Sequence, residues 1–194
     1  PILSGDIHKE SDFHFLFTKI FLLLYVIDDR NESIPLFHSQ LSVINYQLNN
    51  AMAKTKEQLL NILDQFQLTE KVVSAEPFGN GHINDTLKVT NEKGEIKYVL
   101  QRINHLIFTN VDMLQNNIQI VTSHIRKKLE EKGENDIDRK VLTFLPTKDN
   151  KLYYFDGDNY WRVCLFIPNS KSYEEVTPEL SYEAGKAFGD FQSM

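Results

Sequence analysis

The spacing of apolar positions changes from one segment of the chain to the next, and each change marks an expected element. Residues 13–27 form a dense apolar run broken by His14, Thr18 and Lys19. The run is shorter than the roughly 20 residues a membrane-spanning helix needs. Asp6, Glu10 and Asp12 before it, and Asp28 and Asp29 after it without a small-residue cleavage pattern, do not make a secretory signal. Residues 31–51 are polar and aperiodic. From Thr55 the period becomes helical. Thr55 with Gln58 forms a capping-box pattern, and Leu59, Leu60, Leu63 and Phe66 give an amphipathic helix over 55–66. Three strand-like runs follow, 71–78, 83–90 and 96–103, joined by the turns Gly79-Asn80-Gly81 and Asn91-Glu92-Lys93-Gly94, which predicts an antiparallel meander. Thr109 with Asp112 suggests a second capping box. Leu114, Ile118, Val121, Ile125 and Leu129 then stripe a helix over 111–131 that is expected to pack on one face of the sheet, with Gly133 closing it. Strands return at 140–145, 152–155 and 160–167. Pro168-Asn169-Ser170 reads as a linker, and Thr177-Pro178-Glu179 opens a last helix striped by Leu180, Ala184, Phe188 and Phe191.

Composition narrows the classes. The 194 residues are 41% hydrophobic and 25% charged, an ordinary globular balance. The net charge of −6 and the single short basic cluster Arg126-Lys127-Lys128 argue against a nucleic-acid partner, and that cluster suits the last turn of a helix. One cysteine, Cys164, excludes an internal disulfide and fits a reducing cytoplasm. It lies in the apolar run 163–167, which makes it a core filler rather than a nucleophile. No Cys/His spacing matches a zinc site. Asp156-Gly157-Asp158 imitates an acidic metal motif, but its place between two short strands makes it a hairpin turn.

The chain starts at Pro1, and Met52-Ala-Lys-Thr-Lys has the look of a translation start. Residues 1–51 are therefore expected to be an upstream or non-native extension that makes few contacts with the rest, the alternative being a genuine helix packed on the domain. Residues 52–167 are expected to form the main domain, followed over 168–194 by a linker and a helix.

The order β-β-β-α-β-β-β fits the small lobe of a kinase, and equally another α+β sheet domain. Particular residues favour the first. Phe78-Gly79-Asn80-Gly81-His82-Ile83-Asn84-Asp85-Thr86 resembles the nucleotide loop of the N-acetylhexosamine 1-kinases, within the aminoglycoside phosphotransferase and choline kinase family. The likeness continues through Tyr98-Val99-Leu100-Gln101-Arg102-Ile103-Asn104, Phe108, Asn117-Ile118, Val121-Thr122 and His124. It resumes at Tyr160-Trp161-Arg162, Phe166-Ile167, Ser172-Tyr173, Ala184-Gly185, Phe188-Gly189 and Phe191, so it covers residues 70–194. The resemblance implies an α+β, protein-kinase-like N-terminal lobe with an antiparallel five- or six-stranded sheet and one packed helix, the C-terminal lobe being missing.

It also implies an ATP-dependent, cytoplasmic sugar kinase with ATP, Mg²⁺ and a sugar acceptor as partners, and neither nucleic acid nor membrane. Gly79 and Gly81 would let backbone N–H groups approach the phosphates, where an isolated Asn-Gly is otherwise a plain turn. His82 and Asn84 would reach phosphate or sugar. Arg102 would be the third-strand cation, the alternative being a solvated strand charge. Phe166 and Ile167 would lead into the adenine-binding hinge, and Tyr160 and Trp161 would be core. One departure stands out: residues 113–129 hold no acid to pair with Arg102, and Asp112 is the nearest candidate. The acceptor site, the catalytic base and the metal ligands would belong to the missing lobe, so the chain alone is expected to be inactive. A non-catalytic nucleotide- or partner-binding lobe, or a same-fold kinase for an amino alcohol or an aminoglycoside, remain the alternatives.

Overall fold

The computed structural model describes residues 54–78, 83–170 and 177–194. The expectations for residues 1–51 lie outside them. The described residues divide into two compact units, one of 54–78, 83–120 and 143–166, the other of 121–142, 167–170 and 177–194.

The first unit is built on six strands: β1 (Val72–Pro77), β2 (Asp85–Asn91), β3 (Ile96–Ile103), β4 (Phe144–Leu145), β5 (Tyr154–Phe155) and β6 (Tyr160–Leu165). Their spatial order is β1-β2-β3-β6-β4, with β5 also beside β6, and every pairing is antiparallel. The fold is therefore α+β with an open antiparallel sheet. The β2–β3 turn follows its sequence chemistry. Asn91 Oδ1 accepts from the N–H groups of Lys93 and Glu95, and Gly94 takes φ +80°, which a side chain would resist. The Asn91 amide, buried, donates to Glu70 and Glu95, so this polar side chain is satisfied inside.

Strand alternation sorts the sheet into two faces. Leu87 and Val89 of β2, Tyr98 and Leu100 of β3, and Trp161 and Val163 of β6 share one face and form the main core. Helix α1 (Lys56–Leu63) covers it with Leu59, Ile62 and Leu63. The capping box is present: Gln58 N–H donates to Thr55 Oγ1 and Thr55 N–H to Gln58 Oε1. The helix ends three residues before the expected Phe66, because its last turn tightens and Gln67 N–H bonds to Pro146 O. Phe66 is buried all the same, bridged to Thr147. The Tyr98 hydroxyl accepts from Thr69 N–H at 3.1 Å.

Helix α2 spans Val111–Glu131 as its stripe predicts. Its start differs: Asn110, not Thr109, caps it, accepting from Met113 N–H. Its stripe also does not serve one core. Leu114 and Ile118 fall within the sheet unit. Ile125 and Leu129 pack instead with Val141 and the partly buried Phe191 and Met194 in the other unit. The expected strand 140–145 shrinks to Phe144–Leu145, because Ile137–Lys140 forms a single helical turn, α3; the expected 152–155 shrinks to Tyr154–Phe155. Helix α4 (Pro178–Gln192) begins at Thr177, whose Oγ1 accepts from Leu180 N–H, with Pro178 in the first turn. No helix among the described residues is long and apolar enough to cross a membrane.

Candidate functional site

Gly79, Asn80, Gly81 and His82, the tip of the β1–β2 hairpin, lie outside the described residues. Both stems of that hairpin are fixed. Phe78 N–H donates to Thr86 O at 2.8 Å. Asn84 Oδ1 accepts from the N–H of Asn104, whose own Oδ1 accepts from Leu106 N–H. Asn84 therefore ties the hairpin to the end of β3, a positioning contact made within the chain.

Arg102 is neither solvated nor paired with the helix. It is 1% exposed, on the core face, and its Nε donates to Asp85 Oδ2 at 2.6 Å. Asp85 is its direct cross-strand partner on β2, so the register itself delivers the carboxylate. Asp112, the acid sought from the sequence, instead accepts the Tyr153 hydroxyl at 2.8 Å. Partial burial, aided by that carboxylate, pushes the Tyr153 phenol up to about 12.

The opposite face carries different chemistry. Thr86, Gln101 and Arg162 are consecutive cross-strand partners on β2, β3 and β6. Their side chains link in a row: Arg162 Nε donates to Gln101 Oε1 at 3.0 Å, and Gln101 Nε2 donates to Thr86 Oγ1 at 3.1 Å. The Arg162 guanidinium lies 5.2 Å from the Phe144 ring centre, a cation–π distance. Arg162 is 7% exposed, and its Nη1 is sealed from solvent with no acceptor. Glu76, which the register puts on this face, pairs with Lys88 at 3.3 Å. Burial pulls the Arg162 guanidinium down to about 10, which leaves it charged at neutral pH. Two residues along β6, burial pushes the Cys164 thiol up to about 11; it is a filler, not a nucleophile.

An aromatic pair bounds this face. Phe78, 41% exposed, meets Phe166 edge-to-face with ring centres 5.9 Å apart. Phe166 N–H continues the β3–β6 ladder by donating to Lys97 O. Ile167, in the other unit, is buried and its carbonyl accepts from Ser170 Oγ. Trp161 is fully buried as expected. Tyr160 is only half-buried, among the rings of His105, Tyr153 and Phe155.

Asp156-Gly157-Asp158 is the hairpin turn its position predicts. Asp156 Oδ1 accepts from the N–H groups of Asp158 and Asn159, while Oδ2 takes Trp161 Nε1–H and pairs with Lys54 at 2.8 Å. Burial pushes this carboxyl up, but Lys54, the two backbone N–H groups and the indole outweigh it, so it sits below the usual carboxylate range. Among the described residues no group of three or more His, Cys, Asp or Glu could hold a metal ion.

Sequence reasoning missed Asp85, Thr86, Gln101 and the role of Arg162. A usable signal existed. Arg162 is the one charged residue in Tyr160-Trp161-Arg162-Val163-Cys164-Leu165, and a charge at the middle of an apolar strand has to be answered by something. No protein-family model matches the chain.

Proposed function

We propose that this chain is the ATP-binding, amino-terminal part of a small-molecule phosphotransferase with a protein-kinase-like small lobe, and that its acceptor is an N-acetylhexosamine phosphorylated at the 1-position. The observation that carries this is the meeting of Phe78 and Phe166 on one face of the sheet. Phe78 leads into the glycine-containing hairpin tip, and Phe166 leads out of the last central strand toward the linker. Those are the two segments the sequence resemblance gives to phosphate and adenine. Phe78 and Phe166 themselves meet on the face that carries the row Arg162, Gln101 and Thr86.

Each part has a physical task. Backbone N–H groups at Gly79–His82 would hold phosphate oxygens where glycine leaves room for close approach. Asn84 and Asn104 fix the stems of that loop. Phe78 and Phe166 offer apolar walls to a flat ring. An oxyanion and a ring fit what this face presents. Mg²⁺ finds no carboxylate cluster among the described residues, so no step is assigned to it here. Phosphoryl transfer depends chiefly on positioning and charge neutralisation, and the groups that would position the acceptor hydroxyl are assigned to another part of the protein.

The test has two arms. The reading frame continued past Met194 should encode H-x-D-x-x-x-x-N followed by a metal-binding Asp, and the protein carrying it should move the γ-phosphoryl of ATP to the anomeric hydroxyl of an N-acetylhexosamine. Absence of the motif, or transfer to no sugar, amino alcohol or aminoglycoside, would sink the proposal. Transfer to one of the other acceptors would leave the kinase and replace its substrate.

A further inference from the structure

Two arginines are buried in this sheet, and only one has a carboxylate. Arg102 meets Asp85 on the core face. Arg162, on the other face, has Gln101 Oε1 on its Nε, the Phe144 ring beside it, and nothing on Nη1. A buried cation without an anion is among the costlier things a fold can hold, and where one persists it asks for a ligand. The neighbours are oriented to suit one. Gln101 turns its oxygen to Arg162, which can only donate, and its amide nitrogen to Thr86 Oγ1. That leaves Nη1 without an acceptor. A guanidinium edge, with two parallel N–H donors, matches two oxygens of a phosphoryl group or a carboxylate once the Gln101 amide gives way.

We propose that Arg162, framed by Gln101 and Thr86, is the anchoring cation for a phosphoryl oxyanion on this face of the sheet, in the role the sequence assigned to Arg102. The choice of phosphoryl over another oxyanion rests on the nucleotide-lobe function proposed above, since the row shares its face with Phe78 and Phe166. Nη1 is closed to solvent, so the anion enters by competing with the half-buried Gln101 amide for the guanidinium. Arg102 keeps a structural duty: its charge is already met by Asp85.

The probes are pyrophosphate and ADP, titrated into the full chain while the side-chain Nε–H resonance of Arg162 is followed by NMR. Two variants report on the site. Arg162→Met removes the charge at similar length. Gln101→Glu places a carboxylate on the guanidinium, which should satisfy it internally and exclude the ligand. The expected result is saturable binding of pyrophosphate, tighter binding of ADP, at least a tenfold loss of both in each variant, and a melting temperature in each variant no lower than that of the unmodified chain. Binding unchanged in both variants overturns the role of Arg162 and leaves the nucleotide-lobe reading intact. Binding of pyrophosphate through Arg162 with no gain from the adenosine of ADP upholds Arg162 and overturns that reading. Failure of both probes to bind the unmodified chain overturns both. Lower melting in both variants makes Arg162 a structural residue and overturns the proposal.

Discussion

The two faces of one sheet handle the same problem in opposite ways. On the core face, β2 offers Asp85 directly across from Arg102, and the pair sits at the edge of a packed apolar cluster under α1. On the other face, β2 offers Thr86 across from Gln101, and Gln101 across from Arg162, so the chain of donors ends on a cation with no carboxylate. One residue of register separates the two outcomes, because successive side chains on a strand point to opposite faces. The difference separates a face finished by its own side chains from one that is chemically open. Buried charge by itself does not mark a site; buried charge that the fold leaves unmatched does.

The comparison can be broken first at Asp85. Asp85→Ala leaves Arg102 buried without its carboxylate and should cost about 3–5 kcal/mol in urea unfolding. A loss below about 1 kcal/mol would mean that the core-face pair is no better matched than a surface ion pair. Arg162→Met should have the opposite sign, a gain on the order of 1 kcal/mol by the same measurement, since it removes an unmatched donor group from the interior. A loss would show that Arg162 is satisfied in solution.

The 156–159 turn gives a smaller effect with a pH signature. The Asp156 carboxyl is held below its ordinary value by Lys54, two backbone N–H groups and Trp161, against burial, which pushes it up. A group depressed on folding contributes stability above its unfolded value of about 3.9, and that contribution is lost as pH falls through the folded value. The stability difference between the unmodified chain and Asp156→Asn should therefore be constant near neutral pH and shrink in acid below about pH 4. A difference that stays flat into acid would contradict the contacts seen. The smallest effect belongs to Tyr153. Its phenol, raised to about 12, contributes stability below its ordinary value of about 10 and loses it as pH rises through 12. Tyr153→Phe should cost under about 1 kcal/mol at neutral pH and remove one tyrosine titration centred at about 12 in the ultraviolet.

Much of the fold was legible because local chemistry and tertiary packing agree. The Thr55–Gln58 box, the Asn91–Gly94 turn, the whole of β3 and the limits of α2 all follow from residues within a few positions of one another. Some misses are local, such as Asn110 in place of Thr109 as the α2 cap; the larger ones are long-range. Phe66 reads as helical by spacing, yet it lies past the helix end, bridged to Thr147 and packed in the main core. The α2 stripe is continuous in sequence, yet Ile125 and Leu129 pack with Val141, Phe191 and Met194. The site was less legible for the same reason. Arg102 and Gln101 are adjacent, and only the β2–β3–β6 register decides which of them faces the core and which faces Arg162.

The most direct test sets the two arginines against each other. With Mn²⁺-ADP added to the full chain, paramagnetic broadening of the two Nε–H resonances reports which guanidinium lies near the phosphates, because the two side chains project from opposite faces of the sheet and broadening falls steeply with distance. The expected result is strong, saturable broadening of Arg162 and the Gln101 side-chain amide, with Arg102 little affected. Broadening of Arg102 ahead of Arg162 would contradict the assignment of the open face as the one that binds.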